Sequence, residues 1–432
     1  MSLASALLLL GALEAEADAS EPPFGPAPEG SPRVEAIVHE ELHSPGEAPL
    51  PAKLRTLRIR GLESTKRHVV TRELGWREGE EVTEAQWDLG LTRLWNTVLF
   101  SKIEVRRVPV SPGVFDAELE LDENFTLYPS VTAVSTRDTV WVRAGITEGN
   151  LFGSYREVSA HYEQFNDRVG GELFFRNPRV FDERMDWAVW LTRLARPRPT
   201  FTLLRSSART ELGKLFDEDR LRVAVRLEAG FDQYTTALNG TQEEQPSDPY
   251  VTAAMPLRFG RVDRTRAIFN GQSIDITPSA TWTKGPSGLF AAVTTDARFF
   301  RKWPWNLNLA LRSVFSMTGA SSDNFQPYVG GLETVRGYPD GFGHGTRYAS
   351  LNAELRWAAF DWKYLVLMPA VFADGVLLGN TEDGRNRLAS FGGGVRFLVP
   401  TFAAAGIRVD VAMPLTDGIG PSLSLGAYQF FW

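Results

Sequence analysis

The stretch YASLNAELRW, Tyr348–Trp357, alternates between apolar and polar side chains from its second residue onward. The odd positions are apolar, and the even positions carry Ser350, Asn352, Glu354 and Arg356. A period of two is typical of a β-strand whose two faces meet different environments. The stretch therefore predicts a strand with one apolar face and one strongly polar, charged face.

The same alternation recurs between residue 124 and the C-terminus, for example in 220–228, 306–312 and 407–413. A soluble β-sandwich would place the apolar face in its core, but it would scarcely set so many arginines on the other face between short turns. A transmembrane β-barrel has an apolar band facing lipid and a polar lumen. We therefore predict an all-β transmembrane barrel in residues 124–432.

The number of strands follows from the positions at which alternation restarts after turn residues. We place sixteen starts near Phe125, Thr139, Gly153, Asp167, Arg184, Thr200, Asp217, Gln245, Arg266, Gly288, Trp305, Thr346, Trp362, Asn386, Thr401 and Pro421. An even number is what a single-chain bacterial barrel requires. The prediction is a barrel of 16 antiparallel strands.

Residues 52–123 have a different pattern, which predicts a small α/β domain with the order strand, helix, helix, strand, strand. Ser64 is a possible N-cap of the first helix, and Gly75 is its C-terminal stop. Thr83 and Gln86 form a capping-box pair before the second helix. Such a domain leaves a sheet edge open, and an edge can accept an extended peptide by strand addition.

The first 51 residues divide into two segments. Residues 1–19, MSLASALLLLGALEAEADA, combine an apolar run with A-x-A sites and predict a secretory signal peptide, although no Lys or Arg precedes the run. A wrongly assigned start codon or a short anchoring helix would explain that departure. Residues 20–51 are rich in proline and acids and predict an extended linker.

Several classes of function are disfavoured by composition and motifs. A formal net charge of −7 argues against a nucleic-acid partner, and the absence of cysteine excludes thiolate metal sites. The stretch HEELH, His39–His43, matches a zinc-protease pattern, but the linker offers no buried helix to hold it. We therefore predict no catalytic residue, no metal site and no cofactor, and interpret the protein as not an enzyme.

One long loop, Thr318 to Gly345, interrupts the otherwise short turns and carries Arg336 in its middle. A loop of this length can fold back into the lumen, where an arginine would need a carboxylate partner. Glu354, Asp374 and Asp410 on neighbouring strands are candidates. An arginine exposed to solvent remains an alternative at this point.

Particular motifs connect these predictions to a known family. They are GLESTKRHVVTREL and LFSKIEV in the first domain, and GITEGNLFGSYREVSAHY, FRNPRVFDERMDWAVWL, VGGLETVRGYPDG, SLNAELRW, VFADGV, FGGGVRF and the aromatic C-terminus in the barrel. Over residues 52–432 the chain resembles the BamA/TamA-like outer-membrane assembly factors of the bacterial surface antigen family. VRGY is the most specific of these signs.

The resemblance implies a periplasmic POTRA domain in residues 52–123 and an inward-folded loop of about 318–345 that plugs an outer-membrane barrel. Its plug motif would be Val335, Arg336, Gly337 and Tyr338. Arg336 would contact Asp374, with Glu354 as the second choice, Gly337 would permit the sharp tip, and Tyr338 would pack against the wall.

The resemblance also implies a weakly paired seam between the first and last strands. Pro129 removes a ladder donor from the first strand, and Gly426 loosens the last. Pro129 as an ordinary strand-start residue is an equally good interpretation. Tyr428, Phe430 and Trp432 share one face of the last strand and would form a terminal aromatic signal.

The implied function is assembly or translocation of client proteins, with the POTRA domain capturing an unfolded periplasmic client. The implied partners are outer-membrane or secreted clients, the bilayer with its lipopolysaccharide, and an accessory periplasmic protein or lipoprotein. The chain departs from the family in having room for only one POTRA domain, which leaves the client open. A passive outer-membrane channel gated by the loop around Arg336 is the alternative.

Overall fold

A computed structural model describes residues 47–135, 140–165, 168–197, 201–238, 241–265, 267–362, 364–380, 386–400, 405–415 and 419–427. The predicted signal peptide, most of the linker and the HEELH stretch lie outside the described residues. So do Tyr428, Phe430 and Trp432.

The first part of the described chain is a small α/β unit. Its elements are β1 Ala52–Arg60, α1 Arg67–Leu74, β2 Glu81–Val82, α2 Glu84–Asn96, β3 Phe100–Ser111 and β4 Val114–Glu123. The sheet order is β2-β1-β4-β3, with β1 and β4 parallel. The two helices pack on one face of this sheet through a core that includes stacked Trp76 and Trp87, whose ring centroids are 4.0 Å apart.

Four residues were predicted to define the helix ends, and three of them do so. Gly75 ends α1 in the left-handed conformation at φ 71°, and Thr83 and Gln86 make both bonds of the capping box. The prediction of Ser64 as an N-cap is wrong, because α1 starts after Lys66 with no side-chain cap. The Ser64 hydroxyl instead donates to the Glu123 carboxylate at 2.9 Å.

The rest of the described chain forms one closed antiparallel barrel. Its strands are β5 Leu127–Ser135, β6 Val140–Glu148, β7 Glu157–Phe165, β8 Arg168–Asn177, β9 Met185–Pro197, β10 Phe201–Phe216, β11 Leu221–Leu238, β12 Thr241–Ala254, β13 Leu257–Thr265, β14 Ile268–Thr283, β15 Leu289–Trp303, β16 Leu307–Thr318, β19 Arg347–Trp357, β20 Phe360–Trp362, β21 Leu365–Gly379, β22 Arg387–Val399, β23 Ala405–Pro414 and β24 Ser422–Ala427. The long loop between β16 and β19 contains a two-stranded hairpin, β17 Tyr328–Val329 and β18 Gly343–His344.

The eighteen barrel segments form sixteen wall strands, as predicted. β12 and β13 both pair with β14, and β19 and β20 both pair with β21, so each couple is one interrupted strand. Pro256 lies at the first interruption, where its missing N–H breaks the ladder. Every strand starts within four residues of its predicted position.

The two faces of the wall differ as the alternation predicts. Leu351 and Val411 are 57% and 51% exposed on the outer face, whereas their inward neighbours Asn352 and Asp410 are fully buried. The exterior is therefore an apolar belt and the interior a packed polar lumen. Among the described residues, no helix is long and apolar enough to cross a membrane.

Candidate functional site in the barrel lumen

The loop between β16 and β19 folds into the barrel and is organised by its own hydrogen bonds. The Thr334 hydroxyl accepts from the Gly330 N–H at 2.6 Å and donates to the Gly330 carbonyl at 2.7 Å. Gly330 and Gly337 have φ of 122° and 96°, in the region that favours glycine. These contacts turn residues 335–338 toward the wall strands β19, β21, β22 and β23.

Arg336 is fully enclosed and makes a fork-shaped contact with one carboxylate. Its Nε and Nη2 donate to the two oxygens of Asp374 at 2.7 and 2.8 Å, and its backbone N–H adds a third bond at 3.1 Å. Nη1 donates to Glu354 at 2.9 Å. All three side chains have no solvent exposure. This geometry holds a planar guanidinium in one orientation.

Further charges surround this contact, and together they form the lumenal arginine cluster: Arg336, Glu354, Arg356, Asp374, Arg396, Arg408 and Asp410. Arg356 pairs with Glu354 at 2.6 Å. Arg396 bridges Glu354 and Asp410, and its contact with Asp410 is 2.5 Å. The sequence reasoning missed Arg356, Arg396 and Arg408 as members, although their inward positions in the alternation were a signal.

Glycines of the FGGG stretch in β22 create the space for this cluster. A Cβ at Gly392 would lie 2.5 Å from Cζ of Phe372, and one at Gly394 would lie 2.1 Å from an Asp410 oxygen. The Phe372 ring in turn carries Arg336, whose Cζ is 3.4 Å from the ring centroid. Gly392 therefore leaves room for the Phe372 ring that contacts Arg336, and Gly394 leaves room for the Asp410 carboxylate.

Apolar packing fixes the rest of the loop tip. Val335 is fully buried, and the Tyr338 hydroxyl donates to the Ala389 carbonyl at 2.9 Å. Both side chains pack in a cluster with Val329, Val376, Leu378 and Leu388. Gly337 lies against Pro414, which would be 3.0 Å from an added Cβ. The structure thus brings the four predicted loop residues and both predicted wall residues into one site.

The beginning of the loop contacts a different part of the wall, which the sequence did not indicate. Asn324 donates to Asp232 at 2.8 Å, and Arg205 forms a fork with the same carboxylate at 2.7 and 2.8 Å. Phe325 packs edge-on against Tyr250. The loop therefore crosses the lumen from β10–β12 to β19–β23 and is fixed at both sides.

The first and last barrel strands, β5 and β24, close the wall. We call this junction the seam: within the described residues, β5 and β24 are registered at Ser424–Val134 and Leu425–Ala133, and the residues after Ala427 lie outside the described part of the chain. On its other side, β5 pairs with β6 at nine positions. Pro129 lies in β5 opposite Ile146 of β6, and Gly426 lies in β24 opposite Arg408. A Cβ at Gly426 would be 2.5 Å from Arg408 Nε, so this glycine makes room for a cluster side chain.

The α/β unit contacts the barrel turns at the end opposite the loop. Glu73 of α1, fully buried, accepts from Arg179 of the β8–β9 turn at 2.6 Å. Arg93 of α2 donates to Asp219 of the β10–β11 turn at 2.8 Å. Asn150 of the β6–β7 turn donates to Thr65 at 2.9 Å. We call these contacts the domain–barrel interface.

No protein-family model matches the sequence, and no curated protein matches it either. Solved structures do match. BamA from Haemophilus ducreyi lacking POTRA domains 1–3 aligns over 87% of this chain and 83% of its own, at 14% identity and a TM-score of 0.53. CdiB from Escherichia coli and CdiB from Acinetobacter baumannii each cover 87% of this chain at 14% identity, with TM-scores of 0.57 and 0.56 and 76% and 73% of their own chains.

The chain folds as a BamA-like barrel. At this identity the likeness establishes the fold, and it confirms the expected resemblance to BamA/TamA-like barrels at that level. Residue roles and activity rest on the geometry of this chain.

The domain–barrel interface yields a first prediction. Glu73→Gln removes the buried charge that neutralises Arg179, so α1 is expected to open more easily, by about 1–3 kcal/mol. Hydrogen exchange of the α1 amides in the full chain measures this. Glu81→Gln, an exposed position in the same unit, is the matched control. Unchanged α1 exchange in Glu73→Gln would show that the interface does not stabilise this helix.

A second prediction concerns pH. Burial tends to raise the pKa of Glu123, but its carboxylate accepts the backbone N–H groups of Thr65 and Ser64 at 2.8 and 3.0 Å, and these bonds hold the pKa below its usual value. A depressed folded-state pKa contributes stability above the unfolded value of about 4.3, and this is lost as pH falls through the folded value.

Protection factors of the Ser64 and Thr65 amides, corrected for intrinsic exchange, are therefore expected to fall as pH drops below about 4. Glu123→Gln should lower protection already at neutral pH and flatten the profile, whereas Asp122→Asn should retain the wild-type profile. A Glu123→Gln profile that still falls with pH would assign the effect to another group.

Proposed function

We propose that this protein is an outer-membrane β-barrel that assembles or translocates client proteins and has no enzymatic role. The observation that carries the proposal is the α/β unit bound to the barrel turns at the end opposite the loop, through Glu73, Arg93 and Thr65. A passive pore does not need such a unit, because diffusion requires no receptor beside the barrel.

The location follows from the exterior. Exposed apolar side chains surround the wall, and closed barrels can satisfy their backbone polar groups in a bilayer. We place residues 124–432 in the outer membrane after removal of a signal peptide, residues 1–19. The α/β unit, residues 52–123, is then a POTRA domain in the periplasm, following the linker of residues 20–51.

Client capture is assigned to the edge of the α/β sheet. β3 is the edge strand beside β4, and an extended client segment can add to such an edge through backbone hydrogen bonds. The Ala48 N–H already donates to the backbone carbonyl of Arg107 in β3 at 3.1 Å. The edge therefore accepts extended backbone from outside the sheet at one point of the described chain.

The seam is assigned to insertion or export. Pro129, which offers no N–H to the ladder, and Gly426 lie in its two strands. The client's own burial and folding supply the free energy, since the periplasm offers no ATP. The plug motif, Val335 to Tyr338, holds the lumen wall beside the seam in shape through Arg336, Asp374 and Glu354. Tyr428, Phe430 and Trp432 complete the last strand as its aromatic terminal signal.

Depletion of the protein followed by quantification of outer-membrane and secreted proteins tests the proposal. Broad loss of β-barrels identifies a general assembly factor, and loss of one or two exported proteins identifies a dedicated transporter. Accessory lipoproteins should then co-purify with the chain. No change in either set, with high conductance that persists after deletion of residues 52–123, would overturn the proposal in favour of a passive channel.

A further inference from the structure

Two arginines stand on the outer face of the barrel at the loop end. Arg347 is the first residue of β19 and Arg387 the first of β22, and both are exposed. Their chain neighbours Tyr348 and Leu388 point inward and pack on the loop tip. Because side chains alternate along a strand, the two arginines face outward.

The two arginines lie on the strands that flank the same stretch of β21. Arg347 is registered with Gly379, and Arg387 with Leu377. A Cβ at Gly379 would lie 2.5 Å from Arg347 Nε, so the arginine side chain crosses β21 in the direction of β22. The Asn380 amide donates to the Thr346 hydroxyl at 3.0 Å and fixes these strand ends to each other.

On the side toward the apolar belt of the barrel, the residues next to Arg347 and Arg387 are apolar. Leu377 is 64% exposed beside Arg387, and Met317, registered with Arg347, is 44% exposed. Two outward cations on either side of β21, at the border of an apolar surface, attract an anion that can lie between them. An anion with attached acyl chains satisfies both the charges and the apolar side chains, and a phosphate suits bidentate arginine contacts.

We propose that Arg347 and Arg387 form a binding site for the phosphate group of an outer-leaflet glycolipid. The site deepens the proposed outer-membrane location, on which it rests, by assigning the lipid contact to two residues and one patch. The bound phosphate lies over Gly379, and the acyl chains lie along Leu377 and Met317. The bound lipid thereby covers the outside of the strands whose inner face holds the loop.

The test is lipid retention by the purified full chain in detergent, followed by native mass spectrometry with added diphosphorylated lipid A. Arg347→Gln/Arg387→Gln is expected to weaken binding by about tenfold or more. Arg301→Gln/Lys214→Gln is the matched control, because it removes two outward cations from the opposite end. Heat-resistant migration on gels checks that each variant remains folded.

Two further arms identify the ligand. Lipid A without phosphates should bind the wild type as weakly as diphosphorylated lipid A binds the double variant. Inorganic phosphate at millimolar concentration should not displace the lipid, and displacement by phosphate alone would overturn a lipid site in favour of a free-anion site. Equal retention by the wild type and the Arg347/Arg387 variant would also overturn it. Because no client is present, the result is independent of the role in client handling.

Discussion

Arg336→Ala is expected to destabilise the barrel by about 3–5 kcal/mol, because it leaves Asp374 and part of the charge on Glu354 buried without their partner. The protein should still reach the membrane, since the outer apolar belt is unchanged. The expected readouts are a lower temperature for loss of the folded band on gels and a strong loss of client assembly or export. Arg301→Ala, an exposed outward arginine, serves as the control.

The chemistry of the fork sharpens this prediction. Arg336→Lys keeps the charge but cannot make the bidentate contact with Asp374 while also reaching Glu354. We expect it to recover only part of the lost stability. A double-mutant cycle with Asp374→Asn should show coupling, because the two side chains share two hydrogen bonds. Wild-type heat resistance and activity in Arg336→Ala would show that the loop contact is not important.

Locking the seam is expected to have the second large effect. The chain contains no cysteine, so Ala133→Cys/Leu425→Cys introduces one defined pair at a registered position of β5 and β24. Oxidation should close the seam covalently and abolish client insertion or export, and a reductant should restore it. Stability should not fall, since a cross-link opposes strand separation.

The matched control is Val131→Cys/Ala144→Cys, which cross-links β5 to β6 at a registered position within their full ladder. That variant is expected to remain active when oxidised. If the oxidised β5–β24 variant handles clients as well as its reduced form, the seam does not open during function, and the lumen alone must carry the activity.

The wall strands were predictable because lipid and a polar interior impose a period of two that can be read directly from residues such as Leu351 and Asn352. The alternation also placed the candidate carboxylates of Arg336 on the inner face, whereas the inward position of Arg336 itself was implied by the loop length and the resemblance of the VRGY motif. Alternation shows which face of the wall a side chain lies on, but it does not show its position along the barrel axis. Predicting that Arg356, Arg396 and Arg408 lie close together would have required the strand register.

Two other features lay beyond sequence reasoning for a different reason. Ser64 satisfies the local preference for a helix N-cap, but the Glu123 carboxylate, distant in sequence, accepts its hydroxyl and amide instead. Asn324 lies in a polar loop whose composition does not indicate which wall it meets. In both cases a long-range partner decided between locally acceptable conformations.

The proposed activity is the delivery of client proteins by the barrel itself. The most direct measurement is the rate at which an unfolded outer-membrane β-barrel becomes protease-protected in liposomes containing the purified protein, compared with empty liposomes and with liposomes containing Arg336→Ala. We predict faster insertion with the wild type and little acceleration with the variant. Equal rates in all three preparations, for barrel clients and for an exported protein alike, would contradict the claim.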